Sequence, residues 1–222
     1  MKLSLHSVTK LRFVLGLSAL ALALSSAAIP AAADSVTMTG VGGANQGGVY
    51  VVPYYLSVNG GASIVAMCDD YDHHVFIGQH WDATASTFAD LSHTRWGLSQ
   101  PTKYKEAAWL FSKYFEDPSR AGDINFAVWA LFSANAASSS GFTTGSANWL
   151  SLANTAANNG FAGFDFSSYQ ILTPNYRGTD GPQEYITKVP EPGTFVLLAL
   201  GLMMLAFLRK DSWTSLASRK QI

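Results

Sequence analysis

The sequence predicts an α+β domain in which antiparallel β-strands flank a central group of helices, followed by a single C-terminal transmembrane helix. Runs of β-branched and aromatic residues lie before residue 78 and after residue 163, whereas the stretch between them repeats apolar residues at helical spacing. Charged residues make up 13% of the 222 residues, which is about half the usual content of a soluble domain. Strands, then helices, then strands again within residues 34–188 favour one α+β ectodomain.

The first strands are predicted from β-branched and aromatic runs separated by turn residues. Val49–Val58 has this composition, although its proline restricts it to a sheet edge or a bulge. An Asn-Gly-Gly turn follows, and a second strand is expected at Ala62–Cys68. Val75–Ile77 is expected to continue that strand or to pair with it. The glycine-rich residues 40–48 are expected to form a loop.

Three helices are predicted in the middle of the chain: from Thr102, as its cap, to Phe115; from Gly122 to Ala134; and from Ser146 to Asn158. The second places apolar side chains at positions 0, 3, 4 and 7, namely Ile124, Ala127, Val128 and Leu131. Strand-like residues return at 164–173 and at 185–187, which completes the α+β pattern.

Charge is segregated along the chain. Residues 1–33 contain three basic residues and no acid, whereas residues 34–189 contain 7 Lys and Arg against 13 Asp and Glu. The residues after 189 are basic again. An acidic stretch between basic, apolar ends is typical of an exported domain flanked by membrane-directed segments. Nucleic acid is excluded as a partner, because phosphate binding needs a positive surface.

The N-terminus has the three-part layout of a secretory signal peptide over residues 1–33. A basic start precedes the apolar run Phe13–Leu24, and small residues at Ala31 and Ala33 form a cleavage site. Cleavage after Ala33 places the start of the mature chain at Asp34. The alternative is a retained anchor helix, for which the apolar run is short.

The C-terminus combines a proline-rich motif, an apolar segment and a basic stop. The motif consists of Pro190, Glu191 and Pro192, and the stop consists of Arg209 and Lys210. A transmembrane helix is predicted at 194–208. Its 14 uncharged residues after Thr194 cover about 21 Å as a helix. The hydrocarbon core of a bilayer is about 30 Å thick, so the side chains of Arg209 and Lys210 would have to extend to the lipid headgroups. A buried core helix is the alternative.

This order of features over residues 189–210 resembles a PEP-CTERM sorting signal. The resemblance implies recognition by exosortase, a membrane-embedded cysteine transpeptidase that cuts near the Pro-Glu-Pro motif. It also implies a surface or extracellular role associated with Gram-negative exopolysaccharide and biofilm. The chain departs from the usual pattern because a basic tail, residues 211–222, continues after the basic stop.

Cys68 is the only cysteine, so an intrachain disulfide is excluded. A lone thiol in an oxidising compartment must be buried or used in chemistry. Cys68 at the end of a strand, with Ala127, Val128 and Trp129 on a helix, resembles bacterial thioester domains. In those domains a Cys is bonded to the Gln of a Gln-x-Ala-Ile-Trp motif. The resemblance implies a candidate thioester pair, Cys68 and Asn125, with the other three residues completing the motif.

Asn125 stands where the family has glutamine. Its side chain is one methylene shorter, which withdraws the carbonyl by about 1.5 Å from an attacking thiolate. We therefore expect a domain that keeps the fold and lacks the covalent bond. If the bond formed, a surface amine or hydroxyl would be captured covalently on residue 125.

An acidic and histidine-rich run follows Cys68. Asp70, Asp72 and His74 share one face if the run is extended, and His80 or His93 could add a metal ligand. The spacing is not diagnostic of any metal, so a solvated turn is the stronger interpretation and we predict no metal and no cofactor.

Two other functions remain open. The first is a Cys-dependent hydrolase, in which His73 would act as the base for Cys68. In a continuous strand these two residues lie about 17 Å apart. The chain would therefore need a sharp turn between them, or His80 or His93 would have to fold back and serve as the base. In a carbohydrate-binding matrix component, Trp81 and Trp96 would be the exposed aromatic residues.

The prediction that unites these observations is a non-catalytic, structural or adhesive protein of the cell surface or extracellular matrix. Its expected partners are exosortase, the membrane, and exopolysaccharide or a surface amine.

Overall fold

The computed structural model describes residues 33–176, 178–189 and 201, and the elements below belong to this part of the chain. Its strands are β1 (Asp34–Val41), β2 (Asn45–Gln46), β3 (Val49–Tyr50), β4 (Tyr54–Val58), β5 (Ile64–Cys68), β6 (His80–Thr87), β7 (Tyr169–Pro174) and β8 (Tyr185–Lys188). Its helices are α1 (Pro101–Glu116), α2 (Ala121–Phe132), α3 (Ala134–Ser138) and α4 (Thr144–Asn158).

Six of the strands close into a barrel in the order β1-β4-β5-β8-β7-β6, and β6 pairs back with β1. Every neighbouring pair is antiparallel. The prediction of an α+β fold with antiparallel strands is confirmed, whereas the closure of these strands into a barrel was not predicted. Closure into a barrel leaves none of these six strands with an unpaired edge.

The strand register gives the barrel two distinct ends. Asp34, Val58, Tyr169 and Lys188 lie at one end, where the chain enters at β1 and leaves at β8. We call this the terminal end. Val41 pairs with Tyr54, and Cys68 pairs with Tyr185, at the opposite end, which we call the distal end.

The four helices occupy the chain between β6 and β7. α2 is the most deeply buried of them, with eight of its residues buried, because its sequence is apolar on all sides. α2 ends at Phe132, and the next residue, Ser133, has an extended backbone. The side chain of Ser133 caps the start of α3. Thr143 and Ser146 form a capping box at the start of α4. The starts of α3 and α4 therefore have a local cause in their capping side chains.

Several predicted strands have different boundaries. Val49–Val58 is divided into β3 and β4 by residues 51–53, which include the proline. The prediction of a strand at Val75–Ile77 is wrong, since these residues form a loop. Residues 40–48 were expected to be a loop, yet the structure forms a hairpin whose turn residues Gly47 and Gly48 have φ of +59° and +84°.

The helix and late-strand predictions are correct in type and shifted at their ends. Thr102 is not the cap: α1 begins at Pro101, which fits the first helical position because its missing N–H needs no partner there. The strand predicted from residue 164 begins at Tyr169, because Phe166–Ser168 form a 3-10 turn capped by Asp165. β1 and β6 were not predicted.

The signal peptide with Ala31 lies outside the described residues, as do the motif Pro190, Glu191 and Pro192, the transmembrane helix predicted at 194–208, and the basic residues Arg209 and Lys210. Among the residues that are described, no helix combines the length and the apolar content that a membrane crossing requires.

Candidate functional site

A cavity of about 850 Å³ opens at the distal end of the barrel. Its aromatic lining comprises Tyr50, Tyr54, Tyr71, Phe76 and Trp129. Its polar lining comprises Asp72, His74, Asn135 and Gln183. We call this cavity the distal pocket. Its volume lies in the range of small-molecule binding sites.

The aromatic wall is ordered by ring contacts. Tyr71 lies against Trp129, with ring centroids 5.2 Å apart, and against Phe126 at 5.9 Å. Trp129 is buried, whereas Phe76 and Ile77 on the rim are 74% and 64% exposed. Two large apolar side chains side by side in solvent mark a surface suited to contact with a ligand or partner.

The polar groups of the pocket are held by hydrogen bonds. Asn135 Nδ2 donates to Asp72 Oδ1 at 2.8 Å, which joins the loop after β5 to α3. Gln183 Nε2 donates to the carbonyl of Asp70 at 3.0 Å, and the Tyr185 hydroxyl donates to Gln183 Oε1 at 2.9 Å. These side chains can therefore present donors and acceptors to a ligand in fixed positions.

The candidate thioester pair lies beside this pocket. Cys68 and Asn125 are fully buried, and Asn125 Nδ2 donates to the Cys68 carbonyl at 2.9 Å. Asn125 Oδ1 accepts from the backbone N–H of Val52 at 2.7 Å. The thiol of Cys68 donates to the Asp70 carbonyl at 3.2 Å. The structure thus brings the pair together, with the carboxamide bonded to backbone at both of its ends.

The remaining motif residues lie in the same core. Ala127 and Val128 are fully buried in α2, and Trp129, which follows them, is also buried and lines the distal pocket. Burial raises the pKa of the Cys68 thiol well above its ordinary value, and the carboxylates of Asp70 and Asp69 raise it further. The thiol is therefore protonated at neutral pH, and a protonated thiol is a poor nucleophile.

A buried ionic network adjoins the pair, and the sequence predicted only part of it. Asp70 forms an ion pair with Arg95 Nε at 2.8 Å, and its Oδ1 lies within hydrogen-bond distance of His73 Nδ1, also at 2.8 Å. Arg95 Nη2 donates to the carbonyl of Pro182 at 2.9 Å, and the Arg95 backbone N–H donates to Glu184 at 2.8 Å. The sequence around Arg95 and Glu184 contains no motif that could have identified them.

Asp69 and Glu184 are two acids buried without full compensation. Glu184 accepts hydrogen bonds from Tyr104 at 2.6 Å and from Thr173, whereas neither carboxyl oxygen of Asp69 has a hydrogen-bond partner among the residues that the structure describes. Burial raises the pKa of both carboxyls, and the charge of Glu184 raises that of Asp69 further.

The three candidate metal ligands point in different directions. Asp70 is buried against Arg95, Asp72 is exposed and bonded to Asn135, and His74 is exposed in the pocket lining. Among the described residues, no group of three His, Cys, Asp or Glu side chains is arranged to hold a metal ion.

The histidines proposed as a base for Cys68 have other contacts. The two ring nitrogens of His73 face Asp70 at 2.8 Å and Arg95 Nη1 at 3.4 Å, and His80 Nδ1 contacts Thr37 at 2.7 Å. His93 lies on the exposed segment between β6 and α1. In this arrangement the thiol contacts the Asp70 carbonyl and the indole of Trp129.

The tryptophans expected to be exposed do not form the aromatic site. Trp81 is buried and stacks with Tyr185, and Trp96 stacks with Phe132 with ring centroids 4.2 Å apart. Trp129, which the sequence identified only as part of the thioester-like motif, is the tryptophan that lines the distal pocket.

Comparison with known proteins identifies the C-terminal segment. Residues 188–210 match the PEP-CTERM protein-sorting motif. This match supports a PEP-CTERM protein that exosortase sorts to the surface or exports, and it implies C-terminal membrane anchoring before processing. No curated protein and no solved structure matches the chain. The resemblance of the ectodomain to thioester domains stays a prediction.

Proposed function

We propose that this chain, which carries the PEP-CTERM sorting motif, is a non-catalytic adhesive protein that binds exopolysaccharide through the distal pocket. The observation that carries the proposal is the combination of aromatic rings and fixed polar groups in one cavity. Sugar rings present apolar C–H faces and a rim of hydroxyl groups, and both are matched by such a lining.

The rim and the interior of the pocket have separate tasks in this proposal. Tyr50 and Phe76, which are 55% and 74% exposed, offer ring faces to an incoming polymer. Tyr71, held against Trp129, provides the inner stacking surface. Asp72 and Asn135 accept and donate hydrogen bonds to the hydroxyl groups.

A non-catalytic role is supported by the state of the one cysteine. Its thiol is buried and its pKa is raised, so it is not activated as a nucleophile. Binding through the pocket requires no reaction at Cys68.

The test is a titration of the full-length chain in detergent with oligosaccharides cut from the host exopolysaccharide, followed by tryptophan fluorescence. Because Trp129 lines the pocket, we expect saturable quenching. Tyr71→Ala should weaken binding about tenfold, since one aromatic contact contributes about 1–1.5 kcal/mol. Tyr176→Ala is the matched control, because Tyr176 is an exposed tyrosine outside the pocket lining. Absence of quenching, or equal losses in both variants, would refute the proposal.

Covalent capture at residue 125 is the second candidate, and the contact between Asn125 and Cys68 favours it. The thiol would attack the Asn125 side-chain carbonyl, the C–N bond would break, and ammonia would leave with the thiol proton. A surface amine would then displace the thiol. The intact mass decides between the candidates: a deficit of about 17 Da, one ammonia, indicates the acyl bond, and pocket binding predicts none.

A further inference from the structure

We propose that the terminal end of the barrel rests on the membrane surface through an aromatic–lysine patch, so that the distal pocket faces away from the membrane. The patch consists of Phe88, Phe115, Phe164, Phe166 and Lys188. This inference goes beyond the proposed function, because it concerns the opposite end of the barrel and needs no ligand in the pocket.

The patch is a connected surface. Phe88 lies 5.3 Å from Phe166, which lies 4.8 Å from Phe164, measured between ring centroids. Lys188 Nζ lies 4.1 Å above the ring of Phe115. The buried ring of Tyr169 joins the two halves, since it stacks with Phe164 at 5.4 Å and lies 5.9 Å below Lys188 Nζ.

Phe115 and Lys188 are the exposed members of the patch. Phe115 is 40% exposed, Lys188 is exposed, and the other three rings are half-buried. Aromatic rings with lysine ammonium groups beside them are the residue types that occupy the interface between lipid headgroups and water. Two acids, Asp165 and Glu116, lie next to the patch, and Glu116 is paired with Lys113.

The short length of chain between the barrel and the apolar segment indicates that the membrane is the partner of the patch. The sorting motif begins at Lys188 itself, the last residue of β8, so no linker separates the barrel from the sorting segment. Five residues, 190–194, lie between Val189 and Phe195, the first residue of the apolar segment. Fully extended, the six Cα–Cα steps from Val189 to Phe195 span about 20 Å.

This tether is short compared with the domain. About 6 Å of it crosses the headgroup layer, which leaves at most ~14 Å between the barrel and the lipid surface. A domain of this size has a diameter of about 40 Å. The end of the barrel that carries Lys188 is therefore the end held against the membrane before processing.

The experiment uses the full-length chain in lipid nanodiscs of phosphatidylcholine and phosphatidylglycerol at about 3:1. A fluorophore is attached at Ala89→Cys, next to the patch, or at Ile77→Cys, on the pocket rim. Both positions are exposed, whereas Cys68 is buried; the labelled parent chain serves as the blank. Phosphatidylcholine with a nitroxide on its headgroup is the quencher. We expect the label at position 89 to lose most of its emission and the label at position 77 to keep it.

Two variants separate docking from tethering alone. Phe115→Ser should restore part of the emission at position 89, because the tether still holds this end near the lipid, whereas Phe76→Ser, a matched change at the distal end, should restore none. If circular dichroism shows that Phe115→Ser fails to fold, Phe88→Ser takes its place. Equal quenching at both labels, or quenching at position 89 that neither patch variant relieves, would overturn the proposal.

Two further outcomes would also overturn it. Quenching at position 89 that requires exosortase in the nanodisc would assign the patch to the enzyme instead of the lipid. A chain that does not co-elute with the nanodiscs would refute anchoring itself. Neither outcome would affect oligosaccharide binding, so failure here is distinguishable from failure of the proposed function.

Discussion

The side chain of Asn125 joins two backbone segments by donating to the carbonyl of Cys68 at 2.9 Å and accepting from the N–H of Val52 at 2.7 Å. All three partners are buried. The residue that stands where thioester domains have glutamine therefore holds helix α2 to the end of β5 and to the segment before β4. Its amide is engaged as a structural clamp.

Asn125→Ala should destabilise the domain by about 2–4 kcal/mol, because it leaves one buried N–H and one buried carbonyl without a partner. The corresponding fall in Tm is about 5–12 °C. Asn125→Asp should fold poorly as well, since an oxygen would face the Cys68 carbonyl. Thermal melts followed by circular dichroism measure both. Asn148→Ala on the exposed side of α4 is the control, and a loss at position 125 no larger than at position 148 would refute the clamp.

The Cys68 thiol should resist alkylation in the native protein and react fully in guanidinium chloride. Its burial limits access, and its raised pKa keeps it protonated at pH 8. Iodoacetamide labelling followed by mass spectrometry should show a native rate at least ~100-fold below that of an exposed thiol introduced at Thr102→Cys. Fast native labelling would contradict this. A thiol that stays blocked in denaturant would indicate the acyl bond.

Asp69 should make the domain less stable as pH rises. Its folded-state pKa is raised above the ordinary value of 3.8, so the folded state holds the proton more tightly than the unfolded state does. The stabilisation is complete below about pH 3.8 and is lost as pH rises toward the folded-state pKa.

Asp69→Asn removes this ionisation and should raise Tm at pH 8 by about 3–8 °C, with a much smaller difference at pH 4. Melts of both proteins across this pH range provide the measurement. Asp82→Asn, at an exposed position of β6, should leave the pH profile unchanged. A variant with the parent profile would show that Asp69 does not govern this dependence.

Arg95→Gln should cost about 3–5 kcal/mol, because it leaves the buried carboxylate of Asp70 without the guanidinium that balances its charge. The double variant Arg95→Gln with Asp70→Asn should recover part of the loss, since the uncompensated charge is removed. Urea unfolding of the parent, both single variants and the double variant gives the coupling energy. Additive losses would mean that the 2.8 Å contact carries no specific energy.

The sequence was most informative where local physics decides the structure. α2 was predicted from its apolar spacing, and β5 was predicted from its β-branched run between turn residues, because each pattern depends on neighbours in sequence. β6 was missed because, of its three buried residues Trp81, Ala83 and Ser86, two are small and give little hydrophobic signal.

The residues of the candidate site also fall into two groups, those that a sequence motif identified and those that it did not. Cys68, Asn125 and Trp129 were identified because they belong to one spaced motif. Arg95 and Glu184 were missed because both reach this site only in the folded chain: Glu184 comes beside Asp69 when β8 pairs with β5, and Arg95 comes from the segment between β6 and α1. Such long-range pairing leaves no periodic trace in a sequence.

β8 completes the barrel between β5 and β7, and Cys68 reaches its partner Tyr185 across more than one hundred intervening residues. During export the closing strand is the last part of the ectodomain to emerge, immediately ahead of the sorting motif. Until it arrives, β5 and β7 each present an open edge. The sorting motif is thus synthesised directly after β8, the strand that completes the barrel. A chain truncated before residue 185 would lose its destination and its structural integrity together, so an incomplete ectodomain cannot be delivered to the surface by this route.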